Sequence, residues 1–321
     1  MYSLTSNRIS QHWSKETDFS RTFFGFPPFR DYIRHRITGQ TAEWEYWFLI
    51  KKLLIDRLPV ENCLSIFCGH GENEIRLSKL GVFRNCIAID ISTEAIEKAK
   101  KKAKNDKVEN IDFVCGDLNK SNLIANNYFD LVIANGALHH SMDLENLILK
   151  IKASMKFDAL FLSSEYVGNN HYGKEYHQYV LIKALQDLLP ISISGVEQGK
   201  IKNRIIHETK RKVSNVIRGS ELLFRIINLF LKMRLIIQDP SEAANSCKII
   251  PLLMENFKNV EIKNYGGAIL PYVISPILMD VFDLSDPMHI EIINLFIKHE
   301  IIAEEIGDVK SDYAFIISRN E

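Results

Sequence analysis

Between residues 61 and 165 two apolar patterns take turns along the chain. Short, mainly apolar runs stand at 64–67, 86–89, 111–114, 129–134 and 159–163, the signature of buried strands. Between them apolar residues recur at helical spacing. The segment 72–80 reads as a helix stopped by Gly81 just past its end. The next begins at Ser92, a good N-cap, with Glu94 in its first turn. Ala95, Ile96, Ala99 and Ala103 share one face of it, and Glu94–Lys98 and Glu97–Lys101 are spaced as i,i+4 pairs on the wet side. Strands alternating with amphipathic helices predict a parallel sheet with helices on both faces.

The flanks follow other patterns. Residues 1–60 are rich in aromatics, among them Trp13, Phe23, Phe29, Trp44 and Trp47, and read as a helical cap. Pro27-Pro28 breaks it, 37–40 reads as a turn, and a helix over 41–58 ends before Pro59. Residues 166–255 interrupt the alternation with helices near 175–189 and 220–237, and read as an insertion over the C-terminal edge of the sheet. Residues 260–263 and 313–318 are the last strands, with apolar helical segments at 268–282 and 288–306 between them. The organisation is a cap (1–60), a core (61–165), a helical insertion (166–255) and a completion of the sheet (256–321).

Composition narrows the class. Of 321 residues, 46% are hydrophobic and 25% charged, an ordinary balance for a globular chain. The formal net charge of +0 excludes a bulk field that would hold nucleic acid. Cys63, Cys68, Cys86, Cys115 and Cys247 show no C-x-x-C spacing, which argues against a structural zinc or a disulfide framework and for a reducing compartment. Residues 1–20 lack an apolar signal core, so a cytoplasmic location is expected. The most apolar stretch, 221–237, is interrupted by Arg225, Lys232 and Arg234 and is too short and too charged to span a membrane.

The chemistry concentrates at strand ends. The first run leads into Cys68-Gly69-His70-Gly71, and the second stops at Asp90, nineteen residues after Gly71. Glycines let backbone approach a ligand, and an acid at the tip of the second strand can accept from two ribose hydroxyls. This is the layout of a nucleotide-type cofactor site. The dinucleotide pattern G-x-G-x-x-G lacks its third glycine here, where Glu74 stands.

Further on come Gly116-Asp117-Leu118 and then Phe129-Asp130-Leu131-Val132-Ile133-Ala134-Asn135-Gly136. With the glycines and Asp90, these motifs resemble the class I S-adenosylmethionine-dependent methyltransferases, over about residues 60–165. The likeness extends to a bacterial group often associated with glycan or O-antigen gene clusters, through 32–39, Asn135–His140, Glu165–Gly168, Asp239-Pro240-Ser241-Glu242-Ala243 and Tyr265-Gly266-Gly267. One departure is Phe67, where that family usually has glycine; Phe67 reads as the last residue of the first strand. The resemblance implies an α/β, doubly wound, Rossmann-like sheet of seven mostly parallel strands, the last antiparallel. An N-terminal helical cap and a helical insertion between strands five and six complete it. It also implies S-adenosyl-L-methionine as cofactor. Phe67, Cys68, Gly69 and Gly71 would pass under its methionine part. Asp90 would hold the ribose with Ile91 on the adenine face, Asp117 and Leu118 would meet the adenine, and carbonyls of Asn135 and Gly136 the methionine amine.

Methyl transfer is an in-line displacement, so the protein mainly aligns donor and acceptor. A hydroxyl acceptor benefits from a base near its proton. His139 and His140 follow the fourth strand and Glu165 follows the fifth, all at the edge where ligands bind in such folds. Histidine titrates near neutral pH and is the better base, so His140, with His139, leads; the other reading has the pair only lining the site. No metal is expected. A small-molecule or saccharide acceptor is expected, and not nucleic acid, because the fourth strand lacks an N-P-P-Y ending. The basic stretch 200–218 reads either as a solvated face or as a receptor for an anionic acceptor group. Rivals are a nicotinamide-dependent oxidoreductase and an inactive methyltransferase-like scaffold.

Overall fold

The computed structural model describes residues 19–118, 125–189 and 219–321. Consecutive residues of the central strands are buried on opposite faces, which is why they read as unbroken apolar runs. On β4 (Phe129–Asn135), Leu131 and Ile133 face one core while Val132 and Ala134 face the other. The remaining strands are β1 (Val60–Ile66), β2 (Phe83–Asp90), β3 (Ile111–Cys115), β5 (Met155–Tyr166), β6 (Asn259–Gly266) and β7 (Tyr313–Arg319). They form one sheet of order β3-β2-β1-β4-β5-β7-β6. The first five are parallel, and β7 runs antiparallel to both β5 and β6.

One core is covered by α1 (Pro27–Thr38), α2 (Glu45–Leu54), α3 (Glu72–Lys79) and α4 (Thr93–Asn105), with α11 (Pro287–Glu305). The other lies under α5 (Leu144–Ser154) and α8 (Ile249–Asn256). The insertion supplies α6 (Tyr176–Asp187) and α7 (Glu221–Gln238). Glu300 of α11 is fully buried, and its carboxylate accepts from the N–H groups of Gly267, Ile269 and Leu270.

Several boundaries differ from the sequence pattern. The helical segment expected over 268–282 is two short helices, α9 (Leu270–Val273) and α10 (Pro276–Met279), because Pro276 cannot continue α9. The helix expected over 41–58 begins at Glu45 and gives way to a 3₁₀ turn (Ile55–Arg57). The first strand stops at Ile66, and Phe67 is not part of it: it turns into the left-handed region with φ 55°. The chain thus takes at residue 67 a conformation that favours glycine, while carrying a phenylalanine whose ring packs half-buried against the second core.

Candidate active site

The sheet order reverses between β1 and β4, so their following loops part and leave a crevice at the C-terminal edge. Gly69 lies in that crevice with φ 53°, and a Cβ added there would meet nothing within 4 Å. Gly71 has another reason to be glycine. A Cβ there would stand 2.6 Å from the Phe113 ring and 3.0 Å from Ala99. Gly69 therefore leaves open space beside the backbone, and Gly71 lets α3 start tight against its neighbours. Cys68 is half-buried, and its N–H donates to the Ile89 carbonyl at 3.1 Å.

Asp90 ties the loops together. Its carboxylate accepts from Gly69 N–H at 2.9 Å and Ser92 N–H at 2.8 Å. Burial raises its pKa, against the pull of those two amides. Ser92 caps α4 through Ala95 N–H, as expected. Gly116 N–H donates to the Asp90 carbonyl at 2.9 Å, which brings Asp117 to the same edge, half-buried. Ile91 is also half-buried, while Leu118 is buried in the second core with its carbonyl held by Lys150 Nζ. At the end of β4, Asn135 and Gly136 are exposed, and a Cβ on Gly136 would again meet nothing within 4 Å. The cap reaches this point: the Tyr46 hydroxyl donates to Asn135 Oδ1 at 3.3 Å. Arg36 does not, being bonded to the Tyr32 hydroxyl and to Glu304.

Glu165 is 1% exposed and ends β5 beside the turn that follows β4. Its carboxylate accepts from Ala137 N–H, Leu138 N–H and Ser163 Oγ, each at 3.0 Å. Its Oε2 lies 2.9 Å from His139 Nδ1. A carboxylate can only accept there, so it fixes the proton on Nδ1 and leaves His139 Nε2 as the bare nitrogen. The His140 ring lies 4.0 Å from that of His139, centroid to centroid, and His140 Nδ1 is 3.6 Å from Glu242 Oε2.

Glu242 stands in Asp239-Pro240-Ser241-Glu242-Ala243, a setting that gives no local sign of a role at the site, because only folding brings it to His140. It is buried and accepts from the Tyr172 hydroxyl at 2.6 Å. His139, His140 and Glu242 each offer one ligand atom within 4.8 Å of the others, a group of the size and chemistry that a metal ion takes. His171 braces the same loop through Nδ1 to the Glu242 carbonyl, and His177 is exposed beside Glu175. Tyr166 lies 6.3 Å from His139 ring to ring, and the residues that follow it, Val167, Gly168 and Asn169, line a cleft of about 930 Å³. Carboxylates of Glu175, Glu304 and Asp312 line it, with Arg36 and Gln178. Burial pushes Asp312 up to about 7, against the pull of Lys174. The basic stretch 200–218 lies outside the described residues.

Residues 60–217 match the family model described as a methyltransferase domain. No curated protein matches the chain. Among solved structures, the YcgJ protein of Bacillus subtilis is 21% identical over 44% of this chain and 57% of its own, with a TM-score of 0.36. The [4+2]-cyclase SpnF is 12% identical over 98% of this chain and 96% of its own, with a TM-score of 0.46. A Haemonchus contortus phosphoethanolamine N-methyltransferase 2, solved with S-adenosyl-L-methionine, is 14% identical over 94% of this chain and 59% of its own, with a TM-score of 0.46. The chain spans less than two thirds of the length of the first and third of these. The crevice suits a ligand with a ribose and an amino-acid end: backbone is open at Gly69 and Gly136, and an acid stands at the tip of β2. Residues 60–217 are thus similar to a methyltransferase domain, and the sheet that carries them is Rossmann-like.

Proposed function

We propose that this chain moves a methyl group from S-adenosylmethionine to a hydroxyl oxygen of a small-molecule or saccharide acceptor, with His139 as the base. The observation that carries this reading is the buried Glu165–His139 pair at the end of β4. The bound cofactor supplies a methyl group already activated on a sulfonium. Gly69, Asp90, Asp117, Asn135 and Gly136 hold and orient it. His139 Nε2 takes the acceptor's proton, and Glu165 stabilises the imidazolium that results. His140 and Glu242 shape the space beside Nε2.

The test is methyl transfer from labelled cofactor to a panel of hydroxylated acceptors, with cofactor binding measured separately by calorimetry. His139→Ala is expected to lower turnover by about 10²- to 10⁴-fold and leave cofactor affinity unchanged. If His139→Ala and His140→Ala both keep full turnover, neither is the base. Thermal stabilisation by a nicotinamide dinucleotide and not by S-adenosylmethionine would overturn the reading as a whole.

The convergence of His139, His140 and Glu242 favours a second reading, in which a divalent cation held there activates the acceptor. Turnover abolished by a chelator and restored by the cation selects it; turnover indifferent to chelation selects the base.

A further inference from the structure

His139, His140 and Glu242 come from two segments that meet only in the fold, the 3₁₀ turn after β4 and the loop after α7. Their donor atoms lie within 4.8 Å of one another, and the residues around them orient those atoms. Glu165 fixes the proton of His139 on Nδ1, so the lone pair of Nε2 points away from that carboxylate. A carboxylate behind an imidazole is the usual support of a metal-binding histidine. The Tyr172 hydroxyl donates to Glu242 Oε1 at 2.6 Å, which leaves Oε2 turned to the histidines, 3.6 Å from His140 Nδ1. Two ligands of one tetrahedral ion stand about 3.3 Å apart when each bond is about 2.0 Å, so this pair is already near that spacing.

The backbone holds Glu242 in place at a cost in strain. His171, Tyr172 and Ala243 have φ of 53°, 51° and 50°, the left-handed region, and none is glycine. Such conformations persist where the surroundings fix them, and they cluster at functional sites. Here the His171 N–H donates to the Ala243 carbonyl at 2.8 Å, and His171 Nδ1 lies 2.8 Å from the Glu242 carbonyl. Glu242 and His139 are both buried. A buried carboxylate calls for a positive partner, and a cation shared with two imidazoles is one.

The donor set selects the ion. Two imidazole nitrogens and one carboxylate oxygen suit Zn²⁺ and its transition-metal neighbours, whereas Mg²⁺ and Ca²⁺ take oxygen ligands. We propose that His139 Nε2, His140 and Glu242 bind a divalent ion of the Zn²⁺ class, and that the bound ion inhibits methyl transfer. The lone pair of His139 Nε2 can bond a metal or take the acceptor's proton, and not both. The inhibition rests on His139 as the base; the binding does not. Its sign is opposite to that of a cation that activates the acceptor.

The test is titration of the chelator-stripped full-length chain with Co²⁺, read by its visible absorption, and with Zn²⁺ in competition with a chromophoric chelator. One equivalent of either ion is expected to bind, and Mg²⁺ in large excess should not displace it. His140→Ala and Glu242→Gln should abolish binding. Tyr172→Phe and Glu165→Gln, which change only what orients the ligands, should weaken it by about 10- to 100-fold. His177→Ala, at an exposed pair with Glu175, and alkylation of the exposed Cys115 and Cys247 should leave it unchanged. Thermal melts of the metal-free variants show that they are folded, and Tyr172→Phe serves where Glu242→Gln does not fold. On an acceptor from the panel above, Zn²⁺ should inhibit turnover over the concentration range in which it binds. No stoichiometric binding, binding unchanged by His140→Ala and Glu242→Gln, or displacement by Mg²⁺ overturns the proposal and leaves His139 standing as the base. Binding with turnover undiminished or raised also overturns it, and removes His139 as the base.

Discussion

Phe67 shows how a single position can keep a backbone shape while changing the residue that makes it. Its φ of 55° is a conformation that costs an L-residue about 1–2 kcal/mol relative to glycine. The ring packed against the second core offsets that strain. A reversed order of stability follows for two truncations. Phe67→Ala loses the ring and keeps the strain, whereas Phe67→Gly loses the ring and relieves it. Urea unfolding should therefore find the glycine variant more stable than the alanine variant by about 1 kcal/mol. The opposite order, usual for surface positions, would mean that residue 67 is not in the left-handed region. The motif glycines also separate at this scale. Spacing in the sequence made Gly69 and Gly71 equivalent, but only Gly71 is crowded, by Phe113 and Ala99 from elements distant in sequence.

At the scale of elements, the turn Leu138–His140 and the end of β5 form one unit through Glu165. In the proposed reaction that carboxylate is a positioning group, since its donors leave it facing the turn and the imidazole. Glu165→Gln puts an amide N–H₂ where one acceptor oxygen stood. Either a backbone N–H of the turn or His139 Nδ1–H then loses its partner. The expected cost is about 1–3 kcal/mol in urea unfolding. Turnover should fall while cofactor affinity, set by other loops, stays constant. A variant with full turnover would show that His139 needs no fixed tautomer. Both histidines and Glu165 were legible as candidates from their places after strands four and five. Their mutual roles were not, because β4 and β5 become neighbours only through sheet pairing, with Asn135 beside Ser164.

Across the whole molecule, buried acids far apart govern the response to pH. Glu74, under the glycine loop, has its carboxyl bonded to Ser65 Oγ at 2.6 Å, and burial pushes it up to about 7. Asp312 at the start of β7 is pushed up to about 7 by the same cause. In the unfolded chain both return to the ordinary carboxylate range, so between that range and about pH 7 the native state binds more protons. Their contribution to stability is full at low pH and is lost as pH rises through about 7. Tm should fall from about pH 5 to pH 8, and Glu74→Gln combined with Asp312→Asn should flatten that fall. An unchanged slope would place the titrating groups elsewhere. The sequence by itself determined the alternation of strands and helices, the parallel core, and the glycines and acid that stand at the strand tips, because each rests on local periodicity or on a short motif. The tertiary structure decided which acids are buried, that Tyr46 of the cap reaches Asn135, that Glu242 faces His140, and that α7 turns its apolar side outward. Those depend on which surfaces meet, and a helix with apolar residues on nearly every side carries no local sign of which face its neighbours will cover.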